Sequence, residues 1–195
     1  MKTLLTLFVL LFSSLVFADN ISDFELEGMS IRDSLLDYVS EMQIQNNIKD
    51  YTFKNDKFYA IDFDDIIPSK IYDGIGIFLK KNDKKYLIYG IYGIIFYQYD
   101  INNCYEKKES IVEEFKTLFN DIKIDDQGTY DSGQDPSGKS TMTAVWFDFG
   151  SSGDVAGVYC QDWSKEFETK MNYADHLRVT MRSNEFSNWL NNEAY

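Results

Sequence analysis

Apolar positions along the chain follow two rhythms, and the points where one gives way to the other divide it into elements. Ile31, Leu35, Tyr38, Val39 and Met42 recur three or four residues apart behind Ser30 and Asp33, which are spaced as a capping box. That pattern predicts a first helix from about Ile31 to Gln45. β-Rich runs follow at Phe58 to Phe63, Ile71 to Lys80 and Tyr86 to Tyr99, the last two joined through Lys81, Asn82, Asp83, Lys84 and Lys85 as a hairpin. Asn103 with Glu106 opens a second helix. Its Ile111, Val112, Phe115, Leu118, Phe119 and Ile122 form one stripe, while Lys108, Glu109, Glu113, Glu114 and Lys116 fall mostly elsewhere. Beyond a polar stretch from Lys123 to Lys139, strands resume at Thr141 to Phe149, Val155 to Trp163 and His176 to Arg182. The last of these alternates, with Leu177, Val179 and Met181 pointing one way and His176, Arg178, Thr180 and Arg182 the other. A short terminal helix follows Ser183, with Phe186, Trp189 and Leu190 on one face.

The order is helix, three strands, helix, three strands, helix, with no Gly/Ser or Pro-rich linker between. It predicts a single α+β domain: antiparallel sheet with helices packed on one side, assembled from two similar helix-plus-three-strand units. No residue-level repeat accompanies that two-unit pattern. The run YLIYGIYGIIFYQY is apolar at both alternating sets of positions, so both of its faces must be covered. Either Gly90 or Gly93 bulges the strand and turns it across the core, or Tyr89, Tyr92, Phe96, Tyr97 and Tyr99 form an aromatic surface for a partner.

The first eighteen residues, MKTLLTLFVLLFSSLVFA, change the picture by giving the chain an address. Lys2, the apolar run from Leu4 to Phe17, and small residues at Val16 and Ala18 have the layout of a secretory signal peptide cut before Asp19. The run falls short of the ~20 apolar residues that span a bilayer and holds Ser13 and Ser14, which weighs against an uncleaved anchor. The expected organisation is therefore a signal peptide over residues 1–18 and one domain over 19–195. The protein is expected in the periplasm, with the external medium as the alternative, and without a stable membrane anchor. In that oxidising setting Cys104 and Cys160, the two cysteines, are expected to form a disulfide. Closing a loop of about 57 residues would contribute about 4 kcal/mol on the chain-entropy model. No cysteine stands at the cleavage junction to carry a lipid.

A formal net charge of −13 repels nucleic acid and anionic headgroups, while 44% hydrophobic and 16% aromatic residues are ample for a packed core. Gly133, Gly138, Lys139 and Ser140 satisfy the phosphate-cradling G-x-x-x-x-G-K-[ST] pattern, but mostly polar residues precede it and a strand follows where a helix is needed. Asp131 and Asp135 crowd the place of the anion, so the segment reads as a flexible hairpin loop. His176, the lone histidine, sits on the polar side of its strand and reads as exposed and structurally neutral. Asp62, Asp64 and Asp65 resemble a fragment of a calcium site but lack the glycine turn and terminal Glu of an EF-hand loop. No set of residues completes a catalytic, cofactor or metal motif, although a pair of carboxylates can be brought together by folding without any signature in spacing.

The segments ISDFELEGMSIRDSLLDYVS and FSNWLNNEAY resemble a group of small exported proteins of AT-rich marine bacteria with no assigned activity. That resemblance implies a bacterial, periplasmic protein and carries no catalytic residues with it. More distantly, Gly28, Met29 and Ser30 before antiparallel strands are similar to the small helix-plus-sheet domains of outer-membrane assembly factors and β-lactamase inhibitor proteins. Three functional expectations follow. The first is a non-catalytic binding or interaction module for a protein or an apolar small molecule; the alternatives are a histidine-independent hydrolase using paired carboxylates and a structural component of the envelope.

Overall fold

The computed structural model describes residues 20–49, 51, 53–62, 66, 69–119 and 122–195; the expected signal peptide lies outside them. Two 3₁₀ turns, Ile21–Asp23 and Leu35–Asp37, precede helix α1 (Glu41–Asn46). Strands β1 (Ile48–Lys49), β2 (Phe58–Asp62), β3 (Gly74–Lys80) and β4 (Ile88–Phe96) come next, then helix α2 (Ile101–Leu118). The second half holds β5 (Lys123–Asp131), β6 (Thr141–Asp148), β7 (Val155–Asp162), helix α3 (Lys165–Met171), β8 (His176–Arg182) and helix α4 (Asn184–Asn192). The strands form one sheet in the order β1-β2-β3-β4-β8-β7-β6-β5, antiparallel throughout. Each half is a meander of four strands, and the halves meet along their last strands, β4 and β8.

Alternation assigns the two faces. Ile75, Ile77 and Leu79, Leu177, Val179 and Met181, and Ala156, Val158 and Cys160 point to the face covered by α2, whose Cys104, Val112 and Phe115 are buried against them. The Cys104–Cys160 disulfide ties α2 to β7 at a Cα separation of 6.1 Å. The chain from Ile21 to Ile44 drapes over the β2–β4 side of this same core. Helix α4 packs on the opposite face, where Phe186 and Trp189 meet Phe58, Phe78 and Tyr89. Buried Asp154 accepts from Arg32 Nη2 (2.9 Å) and from the Asn184 N–H at the start of α4 (2.9 Å), linking the ends of the domain. This explains why β4 is apolar on both sides: the main core holds Ile91 and the α4 cluster holds Tyr89. The β3–β4 register slips between Phe78 and Leu79, which pair with Gly90 and Ile88, so the strand bulges next to Gly90. A Cβ on Gly90 would stand 2.9 Å from the Phe186 ring, so the glycine also admits α4.

Three sequence expectations need correction. The first helix forms only over its last turns, where Ser40 and Gln43 make a reciprocal capping box. Upstream, Arg32 adopts φ 79°, and Arg32 N–H and Asp33 O exchange hydrogen bonds with Ile88 (2.9 Å each). The Ser30 hydroxyl donates to Phe24 O instead of capping a helix. Ile31, Leu35 and Val39 are buried as their spacing demanded, but by an irregular segment whose backbone is satisfied by β4. Second, Lys123–Asp131 is a strand; as the sheet's edge it presents no core-facing side, and all of it but Tyr130 is exposed. Third, α3 stands between the last two strands, a seven-residue helix capped by Ser164.

Candidate functional site

The face that carries α4 is only partly covered by it. Register places Asp62, Gly76, Tyr92, Thr180, Gly157 and Trp146 side by side across six strands. The next row holds Ile94, Arg178, Tyr159 and Ala144, and the one after it Phe96, His176, Gln161, Met142 and Tyr130. Large side chains lie flat here because glycines sit beneath them. A Cβ on Gly76 would fall 2.1 Å from the Tyr92 ring, and one on Gly157 would fall 2.4 Å from the Trp146 ring. The resulting carpet buries Ala144, Thr180 and Gln161.

Two arginines of β8 form its upper layer. The Arg178 guanidinium carbon stands 4.3 Å from the Tyr92 ring centroid and 5.8 Å from that of Tyr159; Arg182 stands 4.9 Å from Trp146. These are cation–π distances. Tyr92 donates to Asp62 Oδ1 (2.8 Å) and Tyr51 to Asp62 Oδ2 (3.3 Å), so the carboxylate of this row is engaged by phenols. Burial pushes the Tyr92 phenol far up. Burial disfavours the Arg178 charge, but the surrounding Tyr159, Tyr92 and Tyr51 outweigh it and raise its pKa. Burial and the like charge of Arg178 lower Arg182, though a guanidinium so placed stays protonated at neutral pH. Among the described residues neither arginine has a carboxylate within ion-pair distance, and Arg178 Nε has no hydrogen-bond partner.

The five aromatic residues singled out on β4 and just after it do not gather into one surface. Tyr92 belongs to the carpet, and Phe96, 52% exposed, lies at its end. Tyr89 packs against Phe58 under α4, Tyr97 turns into the α2-side core, and Tyr99 is 94% exposed in the loop before α2. Sequence reasoning missed Trp146, Tyr159, Tyr130, Arg178 and Arg182 as a group. The available signal was the polar set of β8, in which two arginines four residues apart must share a face.

His176 is a correction. It is 8% exposed, its Nδ1 lies 2.9 Å from Ala174 O, and its ring is near Trp163, which stacks on Phe167 of α3. Burial, then the charge of Arg178, lowers it to about 4. The phosphate-loop pattern lies in the β5–β6 hairpin loop, closed by Ser132 N–H to Ser140 O (2.8 Å). The Asp135 carboxylate fills it, accepting from Ser140 Oγ (2.6 Å), Ser137 N–H (2.9 Å) and Ser164 Oγ (3.1 Å). The Ser140 hydroxyl leads these bonds in holding Asp135 well below the usual carboxylate range.

Of the acidic triplet, Asp62 is bound by Tyr51 and Tyr92, and Asp64 and Asp65 lie outside the described residues. Among the described residues no three His, Cys, Asp or Glu side chains stand together as a metal-ligand set. Among the described residues Asp175 is the carboxylate with a raised pKa: burial, with Glu168 and Asp162 nearby, brings it to about 6 despite a 2.7 Å bond from Trp163 N–H. A cleft of about 660 Å³ lies elsewhere, at the β1–β2 edge, lined by Glu41, Lys49, Tyr59 and Lys81 among others. No family model, curated protein or solved structure matches the chain.

Proposed function

We propose that the protein is an exported, non-catalytic binding module that docks a partner on the carpeted half of its sheet. The observation that carries this reading is the side-chain inventory of the face: half-buried Trp146, Arg178 and Arg182 stacked with buried Tyr92 and Tyr159, residue types that dominate the energetics of protein interfaces. Their order is supplied by the sheet itself, so little further conformational freedom is lost on docking. The signal-like N-terminus and the Cys104–Cys160 disulfide support export to the periplasm. No helix among the described residues is long and apolar enough to cross a membrane.

Asp175, with its raised pKa beside Glu168, supports a second reading, a hydrolase that works without histidine. The two are separated by native mass spectrometry of the protein purified from its own host without reductant. The binding reading expects a chain beginning at Asp19, two hydrogens lighter than its reduced mass, carrying a partner that Trp146→Ser loses and Tyr99→Ser keeps. A bare chain, or a partner that Trp146→Ser retains, overturns it; hydrolysis abolished by Asp175→Asn installs the second.

A further inference from the structure

We infer that Arg178 and Arg182 are a carboxylate-reading pair, and that the partner docking on this face is a protein presenting acidic side chains to them. The inference rests on the binding-module reading and adds the partner's chemistry. Both arginines project from β8 on one face, about 13 Å apart along the backbone at four strand steps. Yet Arg178 leans onto Tyr92 and Arg182 onto Trp146, and both rings belong to the row of Thr180 that lies between them. The two guanidiniums thus reach the same row from its two ends, Arg178 leaning to the β4 flank of β8 and Arg182 to the β7–β6 flank.

In this protein such an arrangement is conspicuous for what it lacks. Acids outnumber bases by 32 to 19, and other cations find them: Arg32 pairs with Asp154, Lys57 and Lys80 with Glu185, Lys81 with Asp56, and Lys108 with Glu109. Arg178 and Arg182 have none among the described residues, and the carboxylate of the row between them, Asp62, is taken by two phenols. Stacking on aromatic rings holds a guanidinium flat while leaving its in-plane N–H edges free for a bidentate carboxylate. A partner carboxylate supplies what the fold withholds.

Shape and charge select the kind of partner. Small ligands take concave pockets, whereas this surface is broad and filled by its own side chains, and the described cleft lies at the β1–β2 edge. A net charge of −13 disfavours nucleic acid at long range. At physiological ionic strength charges beyond about 8 Å are largely screened, so a docked carboxylate senses chiefly the two guanidiniums. Half-buried Ile94 and Met142 and exposed Phe96 flank them, which suits acids set among apolar residues.

The test is titration of the oxidised protein with N-acetylated, C-amidated hexaglutamate, and with hexaglutamine as control. Affinity is read by calorimetry, and the arginine Nε–Hε resonances by NMR. Hexaglutamate is expected to bind and to move the Arg178 resonance, with hexaglutamine silent. Arg178→Gln and Arg182→Gln should each weaken binding about tenfold or more. The Lys variants at the same positions should recover part of it, and Lys81→Gln with Lys84→Gln should change nothing. The inference falls if hexaglutamate does not bind, if the double Gln variant binds it equally, if the loss follows Lys81 and Lys84, or if phosphatidylglycerol vesicles bind in its place. Its failure is distinct from that of the binding reading: a host-purified Arg178→Gln/Arg182→Gln protein that keeps the partner lost by Trp146→Ser leaves the module standing and removes the carboxylate.

Discussion

Asp175 and His176 are neighbours in sequence, both buried, and displaced in opposite directions, so each sets a pH dependence of definite sign. Asp175 is raised from 3.8 to about 6, first by burial and then by Glu168 and Asp162, against the Trp163 N–H bond and Lys165. His176 is lowered from 6.5 to about 4 by burial and by Arg178. Between about pH 4 and 6 the native Asp175 holds a proton that the unfolded chain has released. Native His176 lacks a proton that the unfolded chain has gained. By linkage, stability due to Asp175 falls as pH rises through this window, whereas stability due to His176 rises. Each effect amounts to about 2 kcal/mol across the window, the Asp175 part reduced to roughly 1 kcal/mol by screening from solvent at its rim. They offset one another in part in the native protein, leaving a net rise of about 1 kcal/mol with pH from His176. Asp175→Asn removes the falling arm, so relative to wild type its melting temperature should gain roughly 2 to 4 °C more on going from about pH 4.5 to 6.5. His176→Gln should tilt the profile the other way. Thermal unfolding followed by circular dichroism at constant ionic strength measures both, and an Asp175→Asn profile parallel to wild type would refute the assignment.

Replacing Cys104 and Cys160 by Ser releases α2 from β7 across a sequence separation of 56, which should cost about 4 kcal/mol and lower the melting temperature on the order of 10 °C. Reduction of the native protein should reproduce the drop, and a melting curve indifferent to reductant would contradict it. Gly157→Ala drives a Cβ to within 2.4 Å of the Trp146 ring, forcing it off the sheet. A loss of about 1–3 kcal/mol with red-shifted tryptophan emission is expected, and unchanged emission would mean that the ring does not rest on the glycine.

The elements legible in the sequence are those whose apolar rhythm coincides with burial. β8 runs from His176 to Arg182 as its alternation predicted, and the α2 stripe of Val112, Phe115 and Phe119 is buried as read. Legibility failed where rhythm and structure part. The spacing of Ile31, Leu35 and Val39 marks burial, and an irregular chain satisfies it as well as a helix does. An edge strand such as β5 has no core side to announce it. A polar residue opposite apolar ones marks the other face of a strand, not exposure, which is why His176 proves buried. The arginine carpet depended on register: Tyr92, Trp146 and Tyr159 come from three different strands, and only pairing sets them beside β8.

The position of β8 has a consequence for how the molecule is made. The last strand in the chain occupies the middle of the sheet, between β4 and β7. A polypeptide emerging from its N-terminus therefore offers one ribbon of four strands and another of three, each with a raw edge, and no strand pairing between them until β8 has appeared. Completion is a late, long-range event, slow by its topology and exposed to mispairing while it waits. Any chain cut short before His176 would keep both edges open to other chains.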